Sequence, residues 1–184
     1  MKTNFLYLIL LFAIVLSCKT AKFSEADIQN FDNLIASKNF TIESDRAYPL
    51  ITNAMQQVLN SGIMRPDNAG GVISLIGNYN FLTIKGDSIS SHLPYFGERQ
   101  MGVDYGGGDS SIELVGLMKD YNVTEGKNNT YSITFDAKSK GENFKTQIVV
   151  FPSLKAEILI SGNSRNSISY SGTLEAIADP KDSK

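Results

Sequence analysis

The chain of 184 residues has no tryptophan, one cysteine (Cys18) and one histidine (His92). Each scarcity removes a class of chemistry. A single cysteine cannot close an internal disulfide, so the fold must rest on its core. Zinc sites usually draw on several His or Cys ligands. A serine triad needs a base held by an acid. Neither can be assembled conventionally around one imidazole. An excess of one charge is also missing: 17 basic against 19 acidic side chains give a formal net charge of −2. That leaves no basic footprint for nucleic acid. The basic residues are scattered, without the aromatic interleaving of a single-strand platform. Long apolar runs are represented once, by the twelve residues Phe5 to Leu16. About 20 are needed to cross a bilayer.

Lys2, that apolar run, and the small Ser17 directly before Cys18 follow the order of an export signal, whose core spans about 7 to 15 residues. The run has no polar face, which argues against a core helix. Val15-Leu16-Ser17-Cys18 resembles the lipobox of bacterial lipoproteins, with Leu16 bulkier than usual at its position. The resemblance implies cleavage before Cys18 and lipidation of that cysteine. One acyl chain binds a membrane marginally, and two or more anchor it stably. The expected setting is the bacterial cell envelope, lipid-anchored at the outer membrane and facing the periplasm. The expected organisation is a signal peptide over 1–17, a lipidated tether over 18–23, one β-rich domain over 24–178 and a polar tail over 179–184.

After the tether, Ser24 reads as a helix N-cap with Asp27 as its capping-box partner. Ile28, Phe31, Leu34 and Ile35 recur at helical spacing among acids and amides. One amphipathic helix is therefore expected over Glu25 to Ser37. From Asn39 the period changes to two. Phe40 and Ile42, then Ile133 and Phe135, Phe144 to Val150 (where Val149 and Phe151 break the polar side), Ala156 to Ile160, and Ile168 with Tyr170 alternate with polar residues. This is half-buried antiparallel strand patterning. Short turns punctuate it, among them Gly86-Asp87, which suits a two-residue hairpin. Parallel returns need long crossovers, so sequential strands should be neighbours. The fold class expected is mainly β: about nine or ten antiparallel strands, largely a meander, closing as a barrel or sandwich. Leu50 to Gly71 interrupts the rhythm, and a short helix is expected within it, with Met55, Val58 and Leu59 on one side and Gly62 as its stop.

Gly86-Asp87-Ser88 has the look of a lipase string, but His92 four residues on would stand roughly 13 Å away in a strand, and a hairpin turn is the simpler reading. Asp104, Asp109 and Glu113 flank Gly106-Gly107-Gly108 without EF-hand spacing or a phosphate-loop lysine. The segment Leu93 to Ser111 is long for a hairpin and rich in glycine. Such loops often carry function. Tyr95, Phe96, Arg99, Tyr105 and Asp109 are its candidate binding residues. The competing reading is that Tyr95 and Phe96 plug one end of the barrel or sandwich.

Three stretches carry a family resemblance: Phe40 to Pro49; Asn80 to Ser88 leading into Leu93-Pro94-Tyr95-Phe96-Gly97; and Ser164 to Gly172. With them the chain resembles the domain of unknown function 4251 family, envelope lipoproteins of Bacteroidota, over nearly all of its mature length. The resemblance implies one β-rich domain and carries no activity, cofactor or catalytic residue. The function expected is a non-catalytic binding or structural module, tethered to the membrane through Cys18. Its partner would be an envelope protein or glycan. No cofactor and no metal are expected. The alternatives are a carboxylate-dependent hydrolase of envelope glycans or peptides, and a carrier of a small apolar ligand.

Overall fold

The computed structural model describes residues 23–62, 70–98, 111–139 and 141–177. Helix α1 spans Glu25–Ser37, as its sequence predicts. The Ser24 hydroxyl accepts from the Asp27 amide, and the Asp27 carboxylate accepts from the Ser24 amide. These bonds satisfy donors that a helix start leaves unpaired. Lys38 ends the helix in a left-handed conformation, φ 50°. Phe31 and Ile35 are buried, and Leu34 packs against the core from its rim.

Among the described residues ten strands follow: β1 (Asn39–Pro49), β2 (Ile73–Ser74), β3 (Phe81–Lys85), β4 (Ser88–His92), β5 (Val115–Leu117), β6 (Lys119–Glu125), β7 (Tyr131–Ser139), β8 (Glu142–Val150), β9 (Lys155–Gly162) and β10 (Ile168–Ala176). Helix α2, Asn53–Asn60, lies between β1 and β2 and is capped by Thr52. It buries none of its residues, so its narrow apolar side makes no core. All ten strands belong to one antiparallel sheet in the order β5-β4-β3-β1-β10-β9-β8-β7-β6, with β2 paired to β1 beyond the end of β3. The two ends of that order are consecutive in the chain. Met118, 9% exposed, joins β5 to β6, so the sheet curls into a nearly closed barrel.

The meander expected from short turns holds within β3-β4-β5 and within β6 to β10. β1 departs from it, entering between β3 and the last strand, β10. No local turn dictates that pairing; the inward faces of both strands do. Phe40 and Ile42 of β1 stand opposite Ala176 and Leu174 of β10. Phe40, Ile42 and Leu174 are fully buried. Ile133, Phe135, Ile148, Ile158 and Ile168 are buried as the period-two pattern predicts. They join one continuous core with Phe31, Leu82 and Leu114. Phe31 reaches Tyr131 at 5.6 Å between ring centroids, and the Tyr131 hydroxyl donates to Asp32. Helix α1 thus covers the barrel interior beside β7.

Candidate functional site

The stretches 40–49, 80–97 and 164–172 come together around β1. β1 pairs with β3 on one side and with β10 on the other. Between Ser44 and Arg46 the register of β1 shifts by one residue, leaving Asp45 as a bulge. Asn80, 4% exposed, braces it: its side-chain oxygen accepts from the Ser44 amide at 2.8 Å, and its amide donates to the Ser44 carbonyl at 2.9 Å. A bulge re-aims the side chain beside it. Here the Asp45 carboxylate accepts from the Ser171 hydroxyl of β10 at 2.9 Å. Ser171 lies 3.3 Å from the Tyr48 hydroxyl.

Tyr48, Ser169 and Ser171 belong to a groove of about 490 Å³ on the outer face of the sheet. Its cause is a difference in side-chain size. β10 presents serines outward, while Tyr48 on β1 and Leu159 on β9 rise on either side, 37% and 40% exposed. Ser169 pairs with both of them across the ladders. Gln147, Val149 and Glu157 extend the wall onto β8 and β9. The groove therefore combines apolar walls with hydroxyl, amide and carboxylate groups, and it carries no cation.

A second hollow, about 380 Å³, opens on the other flank of β1 between Thr41, Glu43 and the Tyr79 to Thr83 stretch. His92, at the end of β4, lies beside it. Its ring centroid is 5.7 Å from that of Tyr79, and its Nδ1 is 3.7 Å from Glu113. Ser88 and His92 stand at opposite ends of β4, and Gly86-Asp87 forms the two-residue turn into that strand. Among the described residues, no group of three or more His, Cys, Asp or Glu side chains is placed to hold a metal ion.

Of the five candidate binding residues, Tyr95 and Phe96 are described. Tyr95 is 5% exposed and lies in the core, and Phe96 packs against it. The Tyr95 hydroxyl lies within hydrogen-bond distance of the Glu98 and Asn166 carbonyls, at 2.9 and 3.0 Å. The Arg165 guanidinium sits 4.9 Å from the centre of its ring. A Cβ at Gly97 would collide with the folded-back Tyr95 ring. The Leu93-Pro94-Tyr95-Phe96-Gly97 string is thus a packed corner joining the end of β4 to the approach to β10. Tyr95 closes that corner from inside. Arg99, Tyr105 and Asp109, like Asp104 and Gly106 to Gly108, lie outside the described residues. So do Cys18 and the apolar run before it.

The groove residues escaped the sequence reading because each looked ordinary alone. The available signal was an apolar side chain at a polar-face position. Val149 breaks the alternation of β8, and Leu159 and Tyr48 do the same on β9 and β1.

The family model for the domain of unknown function 4251 matches residues 22–174. The chain belongs to the DUF4251 family. The crystal structure of a DUF4251 family protein from Bacteroides eggerthii DSM 20697 is similar, with a TM-score of 0.54 at 14% identity. The match covers 82% of this chain and 88% of that one. At that identity the likeness establishes the shared DUF4251 fold. No curated protein matches the chain.

Proposed function

We propose that this DUF4251 protein is a non-catalytic binding module of the bacterial cell envelope, held at the outer membrane by lipid on Cys18 and facing the periplasm. The observation that carries the reading is the division of labour between the two faces of the sheet. The inward side chains are spent on one continuous core, and the groove between Tyr48 and Leu159 opens outward. A small-molecule carrier would keep a cavity of roughly 300–1,000 Å³ inside the barrel. Side chains such as Phe40, Phe135, Phe144 and Tyr170 fill those inward positions. A glycoside hydrolase would converge two carboxylates on one cleft. Among the described lining residues Glu157 is the one carboxylate, and the nearby Asp45 carboxylate is already bonded to the Ser171 hydroxyl. The groove instead offers what a contact surface uses: a tyrosine, aliphatic walls, and hydrogen-bonding groups at the margin.

The partner on this reading is an envelope protein or glycan. A photo-crosslinking residue placed at Ser169, on the groove floor, tests it in cells. A discrete adduct is expected from Ser169 and not from the exposed Lys138 of β7. The double substitution Tyr48→Ala, Leu159→Ala should abolish it without loss of fold. Adducts of equal yield from both positions, or none from Ser169, would overturn the assignment of this face.

A further inference from the structure

The hollow between β1 and β3 carries a ligand assignment of its own. One wall is aromatic. Tyr79 is 76% exposed, unusual for so large a ring, and meets Phe81 edge-on at 5.5 Å. This ring is held in place by its neighbour in the chain. Asn80 is buried and spends its side chain on Ser44 and on the Asn78 carbonyl, fixing the backbone that presents Tyr79. The floor is hydroxylic. The Thr41 and Thr83 oxygens lie 2.8 Å apart across the β1–β3 ladder. Two hydroxyls carry two protons and four lone pairs. Their mutual bond uses one proton, leaving both donor and acceptor capacity at the hollow. Glu43, exposed and on the same face, supplies an anionic acceptor.

Each candidate ligand class meets this set differently. An anion would face Glu43 with no cation in the lining. A wholly apolar ligand would strip water from the carboxylate and both hydroxyls and return no hydrogen bond. A quaternary ammonium would suit the ring and the carboxylate, but it could not use the threonine donor. A pyranose uses every part. Its C–H face lies on an aromatic ring, its neighbouring hydroxyls donate to a carboxylate, and its oxygens accept from a threonine. We propose that the hollow bounded by Thr41, Glu43, Tyr79, Phe81 and Thr83 binds an uncharged pyranose unit of a neutral glycan. It shares no lining residue with the Tyr48–Leu159 groove, so the two assignments stand or fall separately.

The test is an NMR titration of the full chain with two probes, a tetrasaccharide of β-linked glucose and one of β-linked N-acetylglucosamine. Saturable shifts are expected from at least one, confined to the Tyr79 ring and the amides of Thr41, Phe81 and Thr83. Tyr79→Ala and Glu43→Gln should each weaken binding about tenfold, the first through lost ring contact and the second through a lost charged acceptor. Both side chains are exposed, so the melting temperature should hold. Tetramethylammonium should cause no comparable shift. The proposal is overturned if neither saccharide shifts these residues, if both variants bind as the parent does, or if tetramethylammonium reproduces the shifts.

Discussion

Gly172 faces Ser44, where β1 takes in its extra residue. A Cβ at Gly172 would run into the Glu43 carbonyl and the Ser44 Cα, both of them backbone. No rotamer change relieves such a contact, so the strands would have to part at the bulge that aims Asp45. Gly172→Ala should lower stability by about 1–3 kcal/mol, the usual cost of overpacking, read as a lower urea midpoint. An unchanged midpoint would mean the bulge yields freely. Two residues away, Tyr170 is 1% exposed and donates to the Pro94 carbonyl at 2.9 Å. Burial pushes its pKa well above the usual 10.0, the Tyr95 phenol adds to the rise, and Arg165 opposes it. The unfolded chain therefore loses this proton near pH 10, while the folded chain keeps it. Stability is unaffected by this group below pH 10 and falls above it, by about 1.4 kcal/mol per pH unit. Tyr170→Phe should be less stable at neutral pH by about 1–2 kcal/mol, for the lost bond to Pro94. It should decline less steeply between pH 10 and 11, where Tyr121 and Tyr131, also raised, still contribute slope. Parallel alkaline unfolding curves for the two proteins would refute the assignment.

Elements meet most closely at the corner where β8 begins and the approach to β10 turns. Glu142 opens β8, and its carboxylate accepts from the Ser164 amide at 3.1 Å and from Arg165 Nε and Nη2 at 3.0 Å each. The side chains of Arg165 and Glu142 are only 10% and 12% exposed. The guanidinium also covers the Tyr95 and Phe144 rings. One ion pair thus ties the start of β8, the segment before β10 and the corner after β4. Removing one partner of such a shielded pair strands the other, at a cost of about 3–5 kcal/mol. Glu142→Ala should lose about that much in chemical denaturation and loosen the corner, seen as faster hydrogen exchange at the Asn166 amide, which bonds the Glu98 carbonyl. A loss under about 1 kcal/mol would show the pair to be ordinary surface electrostatics. The strand alternation that predicted the core was readable because period two records one wet and one dry face. The corner was not, because its partners stand far apart in sequence: Tyr95 with Asn166, Glu142 with Arg165.

For the molecule as a whole, the barrel's two edges are adjacent: β5 exposes Val115 and Leu117, and β6 is exposed along nearly all its length. Lys38 bridges this region to the helix, pairing with Asp87 at 3.0 Å and lying over the Tyr121 ring. Among the described residues, every strand and both helices lie after residue 24, well past Cys18 in the chain. Cys18→Ala should accordingly leave the thermal transition of the domain unchanged and move the protein from the membrane fraction to the soluble one. Persistence of the variant with membranes in detergent-free buffer would show a second anchor.

Local pattern alone determined α1 from cap to last turn, the strand periodicity, the inward set Ile133, Phe135, Ile148, Ile158 and Ile168, and membership of the DUF4251 family. These follow from interactions between residues near each other in the chain, or from a residue's choice between water and core. Tertiary structure alone decided three things. It placed β1 between β3 and β10, it turned Tyr95 inward, and it set Tyr48, Ser169 and Leu159 beside one another as a groove. Each depends on which distant strand lies alongside, and that is chosen by the closure of the whole sheet around one core.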